Sequence, residues 1–287
     1  MTAPFDGFAA KVGRSIPATT VEGRLGRVVV ATVVIGGYMT LGFAFGLSAE
    51  GYLLLGIPIA VAFQVLVVRR PLRALWLRGT PPMTLTPRSI AAVVAIAIAP
   101  AVVAMGGLRT GNPVLAAYGL AAIVGAVGAV YAIRAMDRDA VNWTIRTTLI
   151  TGTILVGVMV AYRIASGGLN GNLAAAVAAA VISVATYLPV VFVMEEVLLR
   201  GLLDTYLHGS ATGPDRASAL YGSALWGLWH LPVSSLGLGL LMIPYLVAVH
   251  TALGYFLSTS WRRTGNLAAP GIAHAVSDAL RNAVAVL

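Results

Sequence analysis

The chain alternates long apolar runs with short clusters rich in arginine, proline and glycine. A helix that crosses a bilayer needs about 20 predominantly apolar residues. Runs of that kind cover residues 28–47, 52–68, 89–108, 114–133 and 147–166. A sixth stretch, 172–207, is interrupted by Pro189 and by Glu195, Glu196, Arg200 and Asp204. Residues 219–261 are long enough for two spans, with breaks from Pro232 to Gly239 and at Pro244, and a last run covers 266–286. The pattern predicts an all-α polytopic membrane protein, a bundle of eight or nine transmembrane helices. The first run lacks the short apolar core and cleavage site of a secretory signal, so it reads as a retained helix. Residues 1–27 are then an N-terminal tail and 28–287 a single transmembrane domain. Faces of small residues, such as Gly119, Ala121, Gly125 and Gly128 or Ala174 to Ala180, suit close helix packing.

Composition agrees with the pattern. Of 287 residues, 59% are hydrophobic and 10% charged, against about 25% charged in a soluble domain. The mean hydropathy is +0.89. Ten acids and nineteen bases cannot cover a soluble surface of this size. The absence of cysteine excludes a disulfide scaffold, thiolate catalysis and Cys-ligated metal. In a soluble protein a net charge of +9 would point to nucleic acid. Here it points to loops facing the anionic lipid bilayer, and no nucleic-acid partner is expected.

The bases also orient the chain. Lys11, Arg14, Arg24 and Arg27 precede the first span, and Arg69, Arg70, Arg73, Arg78 and Arg88 follow the second. Arg134, Arg138 and Arg146 follow the fourth, and Arg262 and Arg263 precede the last. The alternate loops hold only Arg109 and Arg163. By the positive-inside rule the N-terminus is cytoplasmic in a multi-pass protein of the cell membrane.

Ionisable groups are almost absent from the first five spans and gather in the last third: Glu195, Glu196, Arg200, His230, His250, His274, Asp278 and Arg281. A charge near the bilayer centre costs several kcal/mol, so these positions carry the functional hypothesis. On a helix, Glu196 and Arg200 stand at i and i+4 with the acid first, the favoured order for an ion pair. Glu195 lies about 100° around the axis with Leu199 at its i+4 position. One carboxylate is thus offered a base, while the other is left to act as a general base with a raised pKa. Trp226 and His230 share a face ahead of Pro232, which frees backbone carbonyls beside the imidazole. His274 and Asp278 are again i and i+4, so the acid can fix the histidine's tautomer or share a ligand site with it. His250 has no acidic residue at i±3 or i±4 and reads as structural. His208 falls near a loop.

Orientation puts Glu195 and His274 in the cytoplasmic half and His230 near the middle of its segment, so the groups can meet at similar depth. The depth of the site depends on whether the sixth helix continues past Met194. Two carboxylates and two imidazoles in a bilayer point to water activation. No His-Glu-x-x-His stretch exists, and no intramembrane aspartate pair. Tyr221-Gly-Ser-Ala224 lacks the glycine that would follow an intramembrane serine nucleophile.

Three motifs stand in order: Glu195-Glu-Val-Leu-Leu-Arg200, Trp226-Gly-Leu-Trp-His230 with Pro232, and His274-Ala-Val-Ser-Asp278. Together they resemble the CPBP family of intramembrane proteases, which includes CAAX prenyl endopeptidases of the Rce1 type and the bacterial Abi proteins. The resemblance covers about residues 185–285, within a core at about 172–287. It implies an intramembrane endopeptidase that cleaves a membrane-associated protein or peptide. Glu195 and His230 would activate water, Arg200 would hold Glu196, and His274 with Asp278 would stabilise the oxyanion. Trp226 replaces the family's usual Phe. Asp278 stands where the prenyl endopeptidases have Asn, so it must be protonated, orient His274 or bind a metal. A metal-free glutamate mechanism is favoured, so no cofactor is expected. Zn²⁺ held by Glu195, His230, His274 and Asp278 is the alternative.

A proton-coupled transporter would spread its ionisable groups across both halves of the membrane. A non-catalytic immunity or scaffold protein of the same family would be expected to lose a motif residue. The almost lysine-free, Ala-, Val- and Arg-rich composition points to a GC-rich prokaryotic genome, where CAAX processing is not expected as the physiological role.

Overall fold

Helix ends follow the cap residues that punctuate the apolar runs. The computed structural model describes residues 23–79, 81–169, 171–209, 215–234 and 239–287. Most of the expected tail therefore lies outside the described residues, and the first helix begins four residues earlier than its apolar run. The helices are α1 (Arg24–Phe45), α2 (Ala49–Phe63, prolonged by a π turn Gln64–Val68), α3 (Pro87–Thr110), α4 (Pro113–Arg134) and α5 (Arg138–Ala165). They continue with α6 (Leu173–His208), α7 (Arg216–Trp229), α8 (Met242–Thr264) and α9 (Ala268–Ala285). Among the described residues there is no β-strand.

Thr86 and Ser89 close a capping box over α3, with Pro87 at its first position. Side chains of Asn112, Asp137 and Asn172 accept backbone N–H groups at the starts of α4, α5 and α6. Gly111, at φ 68°, ends α3 in the left-handed conformation and allows the immediate turn into α4.

Seven of these helices are long and apolar enough to cross a membrane. Two others expected as spans are not. Helix α7 has 14 residues, about 21 Å at 1.5 Å per residue, short of the ~30 Å hydrocarbon core. Helix α9 is diluted by His274, Asp278, Arg281 and Asn282. The stretch 219–261 does break over Pro232 to Gly239, between α7 and α8, but not at Pro244, which sits in the first turn of α8 where its missing N–H leaves no helical bond unmade.

The chain divides into two compact units, each discontinuous in sequence. The first takes the described residues of Met1–Thr84 together with Met194–Gly265; the second takes Leu85–Val193 and Asn266–Leu287. In the first, α7 and α8 approach closely enough that a Cβ on Gly227 would lie 2.6 Å from the Leu246 carbonyl oxygen. Thr32 of α1 and Tyr221 of α7 share a hydrogen bond through their hydroxyls. In the second, α9 packs on α5 through a 2.7 Å hydroxyl pair, Thr151 with Ser277. It reaches α6 where Asn282 donates to Ser183 at 3.1 Å. Just ahead of α9, Asn266 donates to the Ala132 carbonyl of α4 and accepts from the Ala268 N–H.

The α3–α4 pair rests on the small residues noted in the sequence. A Cβ on Gly119 would lie 2.7 Å from the Pro100 carbonyl oxygen and 2.8 Å from the Ala104 Cα. These are backbone atoms that cannot swing aside. Gly119→Ala is therefore expected to destabilise the protein by about 1–3 kcal/mol through overpacking, measured as a lower melting temperature in detergent. Gly106→Ala, where no atom lies within 4 Å of the added Cβ, should leave it unchanged or slightly raised. Equal melting of the two variants would refute the close approach.

Candidate active site

Pro189 has no N–H for the helical ladder, and after it α6 widens into π turns over Val191–Glu195 and Val197–Asp204. The helix does not stop at Met194 but runs on to His208. Glu195, Glu196 and Arg200 therefore lie inside a helix, not at its end. Glu196 Oε2 is 3.5 Å from Arg200 Nε, with the two side chains 0% and 1% exposed. The Arg200 guanidinium also stacks 4.8 Å above the ring of Trp226, a second compensation for its burial. Glu195 is buried as well, at 7% exposure.

His230 is the C-terminal cap of α7, followed by a 3-10 turn, Leu231–Val233, that contains Pro232. Its Nδ1 lies 2.9 Å from the Trp226 carbonyl oxygen. A carbonyl only accepts, so Nδ1 carries the proton and Nε2 of the neutral ring carries the lone pair. The ring of His250 stacks on that of His230, with centroids 4.1 Å apart and planes 32° from parallel. His250 repeats the same device, its Nδ1 held 2.8 Å from the Leu246 carbonyl. Trp226 meets His250 edge-on at 4.7 Å, and Trp229 meets His230 edge-on at 4.9 Å.

Two tyrosines from α1 and α2 complete this cluster. Tyr52 donates to the Trp229 carbonyl at 2.8 Å, and Tyr38 donates to the Tyr52 carbonyl. Tyr38 also lies within electrostatic reach of Glu195. Gly42 and Gly56 make room for them, since a Cβ at either would strike the Tyr52 ring or the Tyr38 hydroxyl. The structure thus brings Glu195, Glu196, Arg200 and His230 into one aromatic-lined cluster within the first unit. Tyr38, Tyr52 and His250 were not singled out in the sequence as site residues. The tyrosines sit in helices without a motif, and His250 has no acidic neighbour along its own helix.

One end of the cluster is anchored by a second buried pair. Arg262 grips both oxygens of Asp204, at 2.9 and 2.7 Å, and donates to Ser218 Oγ and the Asp215 carbonyl. Burial alone would raise the Asp215 carboxyl. Hydrogen bonds from Ser218 and the charges of Arg24 and Arg262 outweigh it and hold the group below the usual carboxylate value.

The third motif lies in the second unit, on α9. Asp278 Oδ2 is 3.5 Å from His274 Nε2, and its Oδ1 is 3.2 Å from Arg281 Nη1. The histidine and the acid meet as their spacing predicts. Arg281, three residues further along the same helix, is the acid's second partner. Within either unit, among the described residues, no three His, Cys, Asp or Glu side chains are grouped to hold a metal ion.

Comparison with known proteins shows a likeness over part of the chain. Residues 177–280 match the family model of type II CAAX prenyl endopeptidase Rce1-like proteins. No curated protein matches the chain, and no solved structure does. The matched segment contains Glu195, Glu196, Arg200, His230, His274 and Asp278, and helices α1 to α5 lie outside it. Over this segment, about a third of the chain, the protein is similar to type II CAAX prenyl endopeptidase Rce1-like proteins.

Proposed function

We propose that the protein hydrolyses a peptide bond of a membrane-associated protein or peptide by attack of a water molecule held between Glu195 and His230. The observation that supports it best is the fixed tautomer of His230. With Nδ1–H committed to the Trp226 carbonyl, the neutral ring presents Nε2 as an acceptor for one O–H of the water. The Glu195 carboxylate takes the other proton as the oxygen attacks the scissile carbonyl carbon. The tetrahedral intermediate then collapses, the C–N bond breaks, and the proton held by Glu195 passes to the leaving nitrogen. Glu196 has a structural task, because Arg200 occupies it.

His274 and Asp278 serve the oxyanion. Asp278 is engaged by Arg281 on one oxygen and His274 Nε2 on the other, which suits a carboxylate orienting an imidazolium. The positive ring then donates from Nδ1 to the developing negative charge. All these steps use the chain's own side chains. The site opens toward the cytoplasmic half of the cell membrane, where the loop arginines place the N-terminus.

The first test compares protein termini in membranes of cells expressing the wild type or Glu195→Gln. New termini are expected with the wild type alone, because removing a general base lowers turnover by about 10²–10⁴-fold. Identical termini from two well-expressed proteins would favour a non-catalytic immunity or scaffold role. A second test separates the glutamates. Glu196→Ala strands a buried guanidinium and should cost about 3–5 kcal/mol, seen as a lower melting temperature or lost expression. Glu195→Gln should melt close to the wild type. A stable but inactive Glu196→Ala protein would exchange the two roles.

A further inference from the structure

The first unit holds a cavity of about 280 Å³ apart from the cluster of Glu195 and His230. It lies where the span Ala49–Val68 ends, between the turn that follows it and the α6 backbone at Gly201 and Thr205. Its charged lining is Arg70 and Arg78, and no carboxylate is among its described lining residues. Gly201 lets the α6 backbone touch the Leu75 carbonyl and so forms the wall.

The other polar groups of the lining are already in use. Gln64 is buried and donates to the Pro71 carbonyl at 3.2 Å, which fixes the turn. The Thr205 hydroxyl accepts from Trp261 Nε1 and donates to the Arg200 carbonyl. Arg78 is held in place by its backbone N–H on Gly265, its Nη1 on the Arg262 carbonyl and its guanidinium 4.8 Å above Trp261. The Arg70 guanidinium has no hydrogen bond or ion pair among the described residues. Arg69, just before it, adopts the left-handed conformation at φ 57°, which is costly for any residue with a Cβ.

The charges around the cavity do not balance. Asp204 is the near acid, and both its oxygens are taken by Arg262. Burial lowers the pKa of Arg78, and the neighbouring charges of Arg262 and Arg70 lower it further, against the opposing pull of Asp204. Arginine remains charged at neutral pH all the same. Two arginines therefore line one small space with no carboxylate among its described lining residues.

We propose that this cavity binds a phosphate group, carried by the headgroup of an anionic lipid. Guanidinium forks match phosphate oxygens in pairs, and the end of a span is the depth at which lipid phosphates lie. The volume is just below the roughly 300 Å³ at which pockets for larger ligands begin, so it suits a headgroup and not a peptide. The neighbouring bases Arg69 and Arg73 add to the attraction for an anionic surface.

The test uses the full chain purified in neutral detergent and measures its melting temperature with added phosphatidylglycerol, phosphatidylcholine or inorganic phosphate. Native mass spectrometry counts the lipid retained. Phosphatidylglycerol should raise the melting temperature of the wild type, and phosphatidylcholine should not. In the double variant Arg70→Gln/Arg78→Gln the lipid should bind at least about ten-fold more weakly. The double variant Arg109→Gln/Arg138→Gln, with the same change in net charge away from the cavity, should keep the effect. Should the first double variant fail to fold, Arg70→Gln alone, which removes no internal partner, must show part of the loss. An equal stabilisation by inorganic phosphate, lost in the same variant, would make free phosphate the ligand. No stabilisation of the wild type, or equal loss in both double variants, would overturn the site. The readout is binding, so it stands apart from the proposed proteolysis.

Discussion

Two opposite charges buried together in an apolar helix set the terms for the first unit. Glu196 and Arg200 are almost wholly excluded from solvent, and either alone would carry a desolvation penalty of several kcal/mol. Their 3.5 Å approach offsets part of that penalty, and the Trp226 ring under the guanidinium offsets more. The pair in turn constrains the backbone. It forms where Pro189 has already loosened α6 into π turns, so the helix that carries the pair departs from α geometry along most of the 191–204 segment. With Glu196 committed to Arg200, the proposed reaction assigns the general base to the adjacent Glu195.

Arg200 also ties the first motif to the second, because the ring it covers belongs to the residue whose carbonyl fixes His230. From there the contacts continue through Trp229 to Tyr52 and Tyr38, which brings α1 and α2 into the support of the site. Two glycines, Gly42 and Gly56, make that approach sterically feasible. The family match does not reach these helices, yet they hold the aromatic wall beside His230. The stack of His250 on His230 works the same way. Each imidazole is tethered by Nδ1 to a carbonyl one turn back on its own helix, so each ring restricts the other's rotation.

What the sequence made legible was local. Apolar run lengths marked out most of the helices, since run length is a property of contiguous residues. The pairs Glu196 with Arg200 and His274 with Asp278 followed from spacing along single helices, and both meet in the structure. Contacts between helices were not legible. Nothing in the local sequence of His250, Tyr38 or Tyr52 distinguishes them from ordinary interior residues, and their roles arise from a neighbour distant in the chain. The bidentate grip of Arg262 on Asp204 is of the same kind, because 58 positions separate the two. The π turns were hidden for a different reason. Pro189 announces a disturbance but not whether the helix ends, kinks or widens.

Asp278 shows how a departure from a family pattern can be absorbed nearby. An amide at that position could donate to an oxyanion directly, whereas a carboxylate repels one. The repulsion matters less when the negative charge is already answered. Arg281, one turn further along α9, lies 3.2 Å from one oxygen, and His274 lies 3.5 Å from the other. A carboxylate held at that distance can orient the ring through Nε2. In the proposed reaction the acid thus acts through His274 and does not itself face the intermediate. In that proposal the donor role that an amide could play at position 278 falls to the histidine.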